Sequence, residues 1–143
     1  MKALIPLLAL ATSSCAVFIG SDGWDGRRKL VHAEAEGALG PYSGHVRAGD
    51  LVFVSGKIGE GGGTFEHEAA TAIDRVAAEL ARARLSLDDV VSATVYLTDM
   101  ELYGAFNAIY AARFPAPYPA RACVEVGELP GGARVEIVVT ARR

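Results

Sequence analysis

Pro119-Ala120 leads into Arg121-Ala122-Cys123-Val124-Glu125-Val126, and eight residues beyond Val126 comes Arg134-Val135-Glu136-Ile137. A guanidinium, a thiol and carboxylates thus stand on two strand-like runs. Successive side chains of a strand face opposite ways, so Arg121, Cys123 and Glu125 share one face. The other face, Ala122, Val124 and Val126, is the expected core side. Arg121 starts its strand at a proline-framed edge, and its planar, permanently charged fork suits bidentate binding of a carboxylate. The competing reading is a salt bridge with Glu125 or Glu128. Glu136 shares a face with Val138 and Thr140, whereas Val135, Ile137 and Val139 form the apolar side. A carboxylate there is either a general acid or base acting on water or an ordinary solvated strand residue. Cys123 has no His near it in sequence, and His32, His45 and His67 show no triad spacing, so a small buried hydrophobe is its expected role. The His and Cys residues form no CxxC, HxxxH or HExxH spacing, which sets metal ligation aside. Gly59, Gly61, Gly62 and Gly63 fit neither a dinucleotide nor a P-loop pattern and read as a connector.

Placing these residues requires a sheet. Residues 29–33 predict a first strand, and residues 43–48 and 51–55 a hairpin about Gly49-Asp50. From Phe65 the period changes: Ala69, Ile73, Val76 and Leu80 fall on one helical face to about residue 84, with Glu68, Arg75, Glu79 and Arg82 expected at the surface. Residues 90–97 alternate as a strand with Val91, Ala93, Val95 and Leu97 on one side. Thr98-Asp99 caps a second helix over about 102–114, which Pro115, Pro117 and Pro119 end. Residues 121–126 and 133–141 are the last strands, joined through Pro130-Gly131-Gly132. The order β-β-β-α-β-α-β-β predicts an α+β domain, a six-stranded mixed sheet with two helices on one face. The opposite face carries Tyr96, Val138 and Glu136 with nothing to cover them, which predicts self-association.

A chain of 143 residues with 51% hydrophobic content suits one domain with a real core. The net charge is −3, and the only basic blocks are Arg27-Arg28-Lys29 and Arg142-Arg143, which argues against nucleic acid as the main partner. Met1-Lys2, an apolar run over 3–11 and Thr12-Ser13-Ser14-Cys15 have the layout of an export signal. The apolar run falls short of the ~20 residues of a spanning helix. Residues 1–14 are therefore expected to be a signal, 15–28 a tether and 29–143 the domain. Cys15 is similar to the acylated cysteine of bacterial lipoproteins, although Thr12 stands where Leu is usual. The expected location is the cell envelope or periplasm, by membrane attachment through lipidated Cys15 or by simple secretion.

Gly40-Pro41-Tyr42-Ser43, Leu51-Val52-Phe53-Val54-Ser55-Gly56, Thr94-Val95-Tyr96-Leu97-Thr98-Asp99-Met100, Phe106-Asn107 and the Pro119–Val126 segment occur in this order. Together they resemble the RidA (YjgF) family of enamine/imine deaminases, over residues 40–141. The resemblance implies a chorismate-mutase-like fold assembled as a homotrimer with ligand clefts between subunits. It implies that Arg121 holds a substrate carboxylate, that Glu136 handles the attacking water, and that Tyr42, Ser55, Asn107 and Cys123 line the cleft. The implied activity is that of a 2-iminobutanoate/2-iminopropanoate-type deaminase, hydrolysing 2-imino acids to 2-keto acids and ammonia without cofactor or metal. Alternatives from the same resemblance are a non-enzymatic ligand-binding or holdase trimer, an endoribonuclease, and a cytoplasmic location as for most of the family. Lys57 and Glu68 stand where the family commonly has Gln, and both are expected near the cleft mouth.

Overall fold

A computed structural model describes the backbone of Leu30–Glu34 and residues 39–143. The expected signal, the tether and Cys15 lie outside the described residues. The elements are β1 (Leu30–Glu34), β2 (Ser43–Ala48), β3 (Leu51–Ile58), α1 (Phe65–Arg82), β4 (Val90–Leu97), α2 (Tyr103–Arg113), β5 (Ala120–Glu125) and β6 (Val135–Arg142). The sheet order is β1-β2-β3-β6-β4-β5. Among the described strands only β4 and β5 run parallel, because α2 crosses between them, and the sheet is therefore mixed. The expected α+β arrangement of a mixed sheet with two helices is found.

Ala69, Ile73, Val76 and Leu80 of α1 and Phe106 and Tyr110 of α2 bury themselves against Val54, Val95, Leu97, Val135, Ile137 and Val139. The helical and strand periods expected from sequence meet there. Thr64 caps α1, its hydroxyl accepting from the His67 N–H. At the other end the Arg84 N–H reaches the Ala81 carbonyl and the Leu85 N–H the Leu80 carbonyl, both at 2.9 Å. That closure ends the helix at Arg82, two residues before the expected limit, and leaves Arg84 in the left-handed region with φ 62°.

Three expectations about faces are corrected. The β4–β6 register shifts between Val90 and Ser92, so Val90 turns inward with Ala93, Val95 and Leu97 while Val91 is exposed. Pairing of Arg121 with Ala93 and of Cys123 with Val95 puts those two side chains on the helix side. Ala122 and Val124, taken from sequence as the core side, are exposed on the open face instead. A one-residue parity decides this, and β4 rather than the hydrophobicity of β5 sets it. Finally, Glu68 and Glu79 are buried, at 1% and 5% exposure, because each meets a cation there.

Candidate functional site

Tyr103, Phe106, Asn107 and Tyr110 follow the i, i+3, i+4, i+7 spacing of one helix face, and on α2 that face meets Arg121. The Arg121 Nη2 donates to Asn107 Oδ1 at 2.6 Å and lies 3.5 Å from the Tyr103 hydroxyl. Its ζ-carbon stands 4.6 Å from the ring centre of Tyr110, 5.7 Å from that of Phe106 and 5.8 Å from that of Tyr103. Rings and an amide orient a guanidinium without neutralising it. Among the described residues no carboxylate pairs with Arg121. The salt-bridge reading with Glu125 is not realised, since that carboxylate accepts the Met100 N–H at 2.9 Å.

Two titratable neighbours are held neutral. Burial pushes the Tyr110 hydroxyl up to about 12, with the Arg121 charge working against it. Burial likewise raises the Cys123 thiol above its ordinary value, the Arg121 charge again offsetting part. A thiol so placed is a poor nucleophile at neutral pH, and Cys123 packs against the core as a hydrophobe.

A second cluster lies across the sheet. Tyr42, Ser55, Gly56, Ile58, Pro130 and Glu136 line a cavity of about 340 Å³. The β3–β6 register shifts between Val54 and Lys57, a bulge that contains Ser55 and Gly56. Beyond it Ile58 pairs with Glu136, and the Ser55 hydroxyl donates to the Ser43 carbonyl at 2.6 Å. A Cβ at Gly56 would stand 1.6 Å from Glu136 Oε1, so the carboxylate rests on bare backbone there. The same bulge turns Lys57 to the helix side, where its Nζ meets Glu79 Oε2 at 3.0 Å. Glu68 accepts the Arg134 backbone N–H at 2.6 Å and its Nε at 2.7 Å. Both residues expected at the cleft mouth are thus tied into α1 contacts instead.

The expected site residues therefore fall into two sets. Arg121, Asn107 and Cys123 gather on the helix side of edge strand β5, whereas Tyr42, Ser55 and Glu136 gather on the open side of β3 and β6. Within one chain the sheet stands between Arg121 and Glu136. Sequence reasoning missed Tyr103, Phe106, Tyr110 and Gly56. The aromatic spacing and a glycine inside a strand were the available signals.

The family model described as Endoribonuclease L-PSP matches residues 32–143. The RutC family protein y4sK of Sinorhizobium fredii is 42% identical over 111 residues, covering 73% of this chain and 88% of that protein. The human 2-iminobutanoate/2-iminopropanoate deaminase is 37% identical over 123 residues, covering 80% of this chain and 89% of that protein. The crystal structure of Escherichia coli TdcF with bound serine superposes with a TM-score of 0.72 at 32% identity, covering 81% of this chain and 99% of that one. With a family model spanning most of the chain and a relative of this identity and coverage, the protein belongs to the Endoribonuclease L-PSP family, the RidA/YjgF family that its motifs resemble.

Proposed function

We propose that the protein is a 2-imino acid deaminase whose site is completed between copies of the chain in a homotrimer. The observation that carries this reading is the Arg121 guanidinium, oriented by Asn107 and three aromatic rings with no carboxylate among the described residues to quench it. Such a group suits the carboxylate of a small substrate. The partner chemistry is the Glu136 cavity of a neighbouring copy, since in one chain the two sets face opposite ways.

With the substrate carboxylate on Arg121, Glu136 takes a proton from water as the oxygen adds to the C=N carbon. The carbinolamine so formed receives a proton on nitrogen and collapses to the 2-keto acid and ammonia. Free imines already hydrolyse in water, so positioning plus acid/base help of ~10²–10⁴ suffices. Two findings on similar proteins support the reading: the name of the human relative and the serine held by E. coli TdcF. Serine, like an imino acid, carries a carboxylate beside a nitrogen-bearing carbon.

The test supplies imines from an amino-acid oxidase and follows keto-acid release. The protein accelerates release, and Arg121→Ala lowers kcat/KM by about 100-fold, the cost of a charged hydrogen bond. A fully active Arg121→Ala protein rules the reading out.

A further inference from the structure

Where the turn between β2 and β3 approaches the C-terminal end of α1, Arg47, Arg82, Arg84 and Arg143 line a cavity of about 210 Å³. Its floor is the buried His45 and Val52. None of these residues lines the Glu136 cavity or touches Arg121. The chain as a whole is acidic, at −3, so four arginines lining one small cavity run against its composition.

Glu79 is a counter-charge beside the cavity, in contact with its lining residues His45 and Arg82, and it is already shared. Its carboxylate meets His45 Nδ1 at 2.7 Å, Lys57 Nζ at 3.0 Å and Arg82 Nη1 at 3.4 Å. Among the described residues no carboxylate pairs with Arg47, Arg84 or Arg143. A structural account explains part of this: cations favour the C-terminal end of a helix, which covers Arg82 and Arg84. It does not cover Arg47, whose Nε donates to the Gly49 carbonyl, or Arg143, which follows β6.

Arg84 adds an independent observation. At φ 62° it occupies the left-handed position that closes α1, where glycine is free of strain and a side chain is not. A strained backbone is tolerated where its side chain is needed, and here the strained residue lines the cavity.

We propose that this cavity binds a phosphate group, at a site separate from the imine cleft. Three arginines without a carboxylate partner among the described residues match the charge and the several acceptor oxygens of a phosphate group better than those of a single carboxylate. The phosphate has two candidate sources, a free small molecule or a phospholipid headgroup. The second rests on the expected lipidation of Cys15 together with the topology: Leu30 pairs with Arg47, so β1 begins at this end of the sheet.

The test titrates inorganic phosphate into the full chain at fixed ionic strength by calorimetry, and sediments the protein with phosphatidylglycerol or phosphatidylcholine vesicles. Arg84→Gly and Arg47→Gln are compared with wild type. Arg84→Gly relieves the backbone, so it keeps the fold where a harsher change fails. Phosphate binding at roughly millimolar or tighter Kd, weakened about tenfold or more by each substitution, supports a free phosphate ligand. Binding to phosphatidylglycerol vesicles alone, lost in both variants, supports the headgroup. Imine turnover stays within about twofold in each variant, because neither residue touches that cleft. Absence of binding to both probes, or binding that both variants retain unchanged, overturns the proposal.

Discussion

An arginine whose partner is an amide oxygen keeps its full charge, and the 2.6 Å bond from Arg121 to Asn107 is of that kind. This makes the uncharged character of Asn107 as important as its position. Asn107→Asp preserves shape but converts the contact into an ion pair, which then competes with the substrate carboxylate. The expected outcome is a rise in KM of about tenfold or more with the fold intact, read by steady-state kinetics and circular dichroism. An unchanged KM contradicts the role assigned to Arg121. Residue types were the legible part of this half-site: Arg121 was read from its own chemistry, and Asn107 and Cys123 were placed in the cleft by the family resemblance. The aromatic cage was not, because i, i+3, i+4, i+7 spacing says that residues share a helix face without saying which strand the face meets.

At the scale of elements, the bulge in β3 shapes the second half-site. It releases Lys57 to the helix side and leaves Gly56 beneath Glu136. Gly56→Ala drives a methyl group into the carboxylate, so kcat is expected to fall by about tenfold or more while the thermal midpoint moves little; retained kcat argues against Glu136 as the residue acting on water. The Lys57–Glu79 pair has its own signature. Burial works to raise the Glu79 carboxyl, but hydrogen bonds from His45 and Lys57 and the charges of Lys57 and Arg82 prevail, leaving it below its ordinary 4.5. A carboxyl lowered in the folded state stabilises the fold above about that value, and the contribution is lost as the pH falls below it. Glu79→Gln is therefore expected to destabilise by roughly 3 kcal/mol at pH 7, with the gap from wild type narrowing in urea titrations below pH 4.5. Element order was readable from hydrophobic period and from the glycines and prolines. Face parity in β4 and β5 was not, because a bulge and a parallel neighbour set it, and neither leaves a local mark.

For the whole molecule, an open sheet face carrying exposed Phe53, Val91 and Val124 and two half-sites on opposite sides of the sheet point the same way. Self-association was expected from the uncovered face in the sequence, and clefts between subunits from the family resemblance; which site residues stand on which side of the sheet became visible only once side chains were assigned to sides. The central claim is that Arg121 of one copy works with Glu136 of another. Arg121→Ala and Glu136→Ala chains, each strongly impaired alone, should be coexpressed, purified as mixed oligomers and assayed for keto-acid release. In a cyclic trimer mixed at random about one cleft in four holds both native residues, so the mixture should recover about a quarter of wild-type activity. A mixture as inactive as either parent contradicts the shared site.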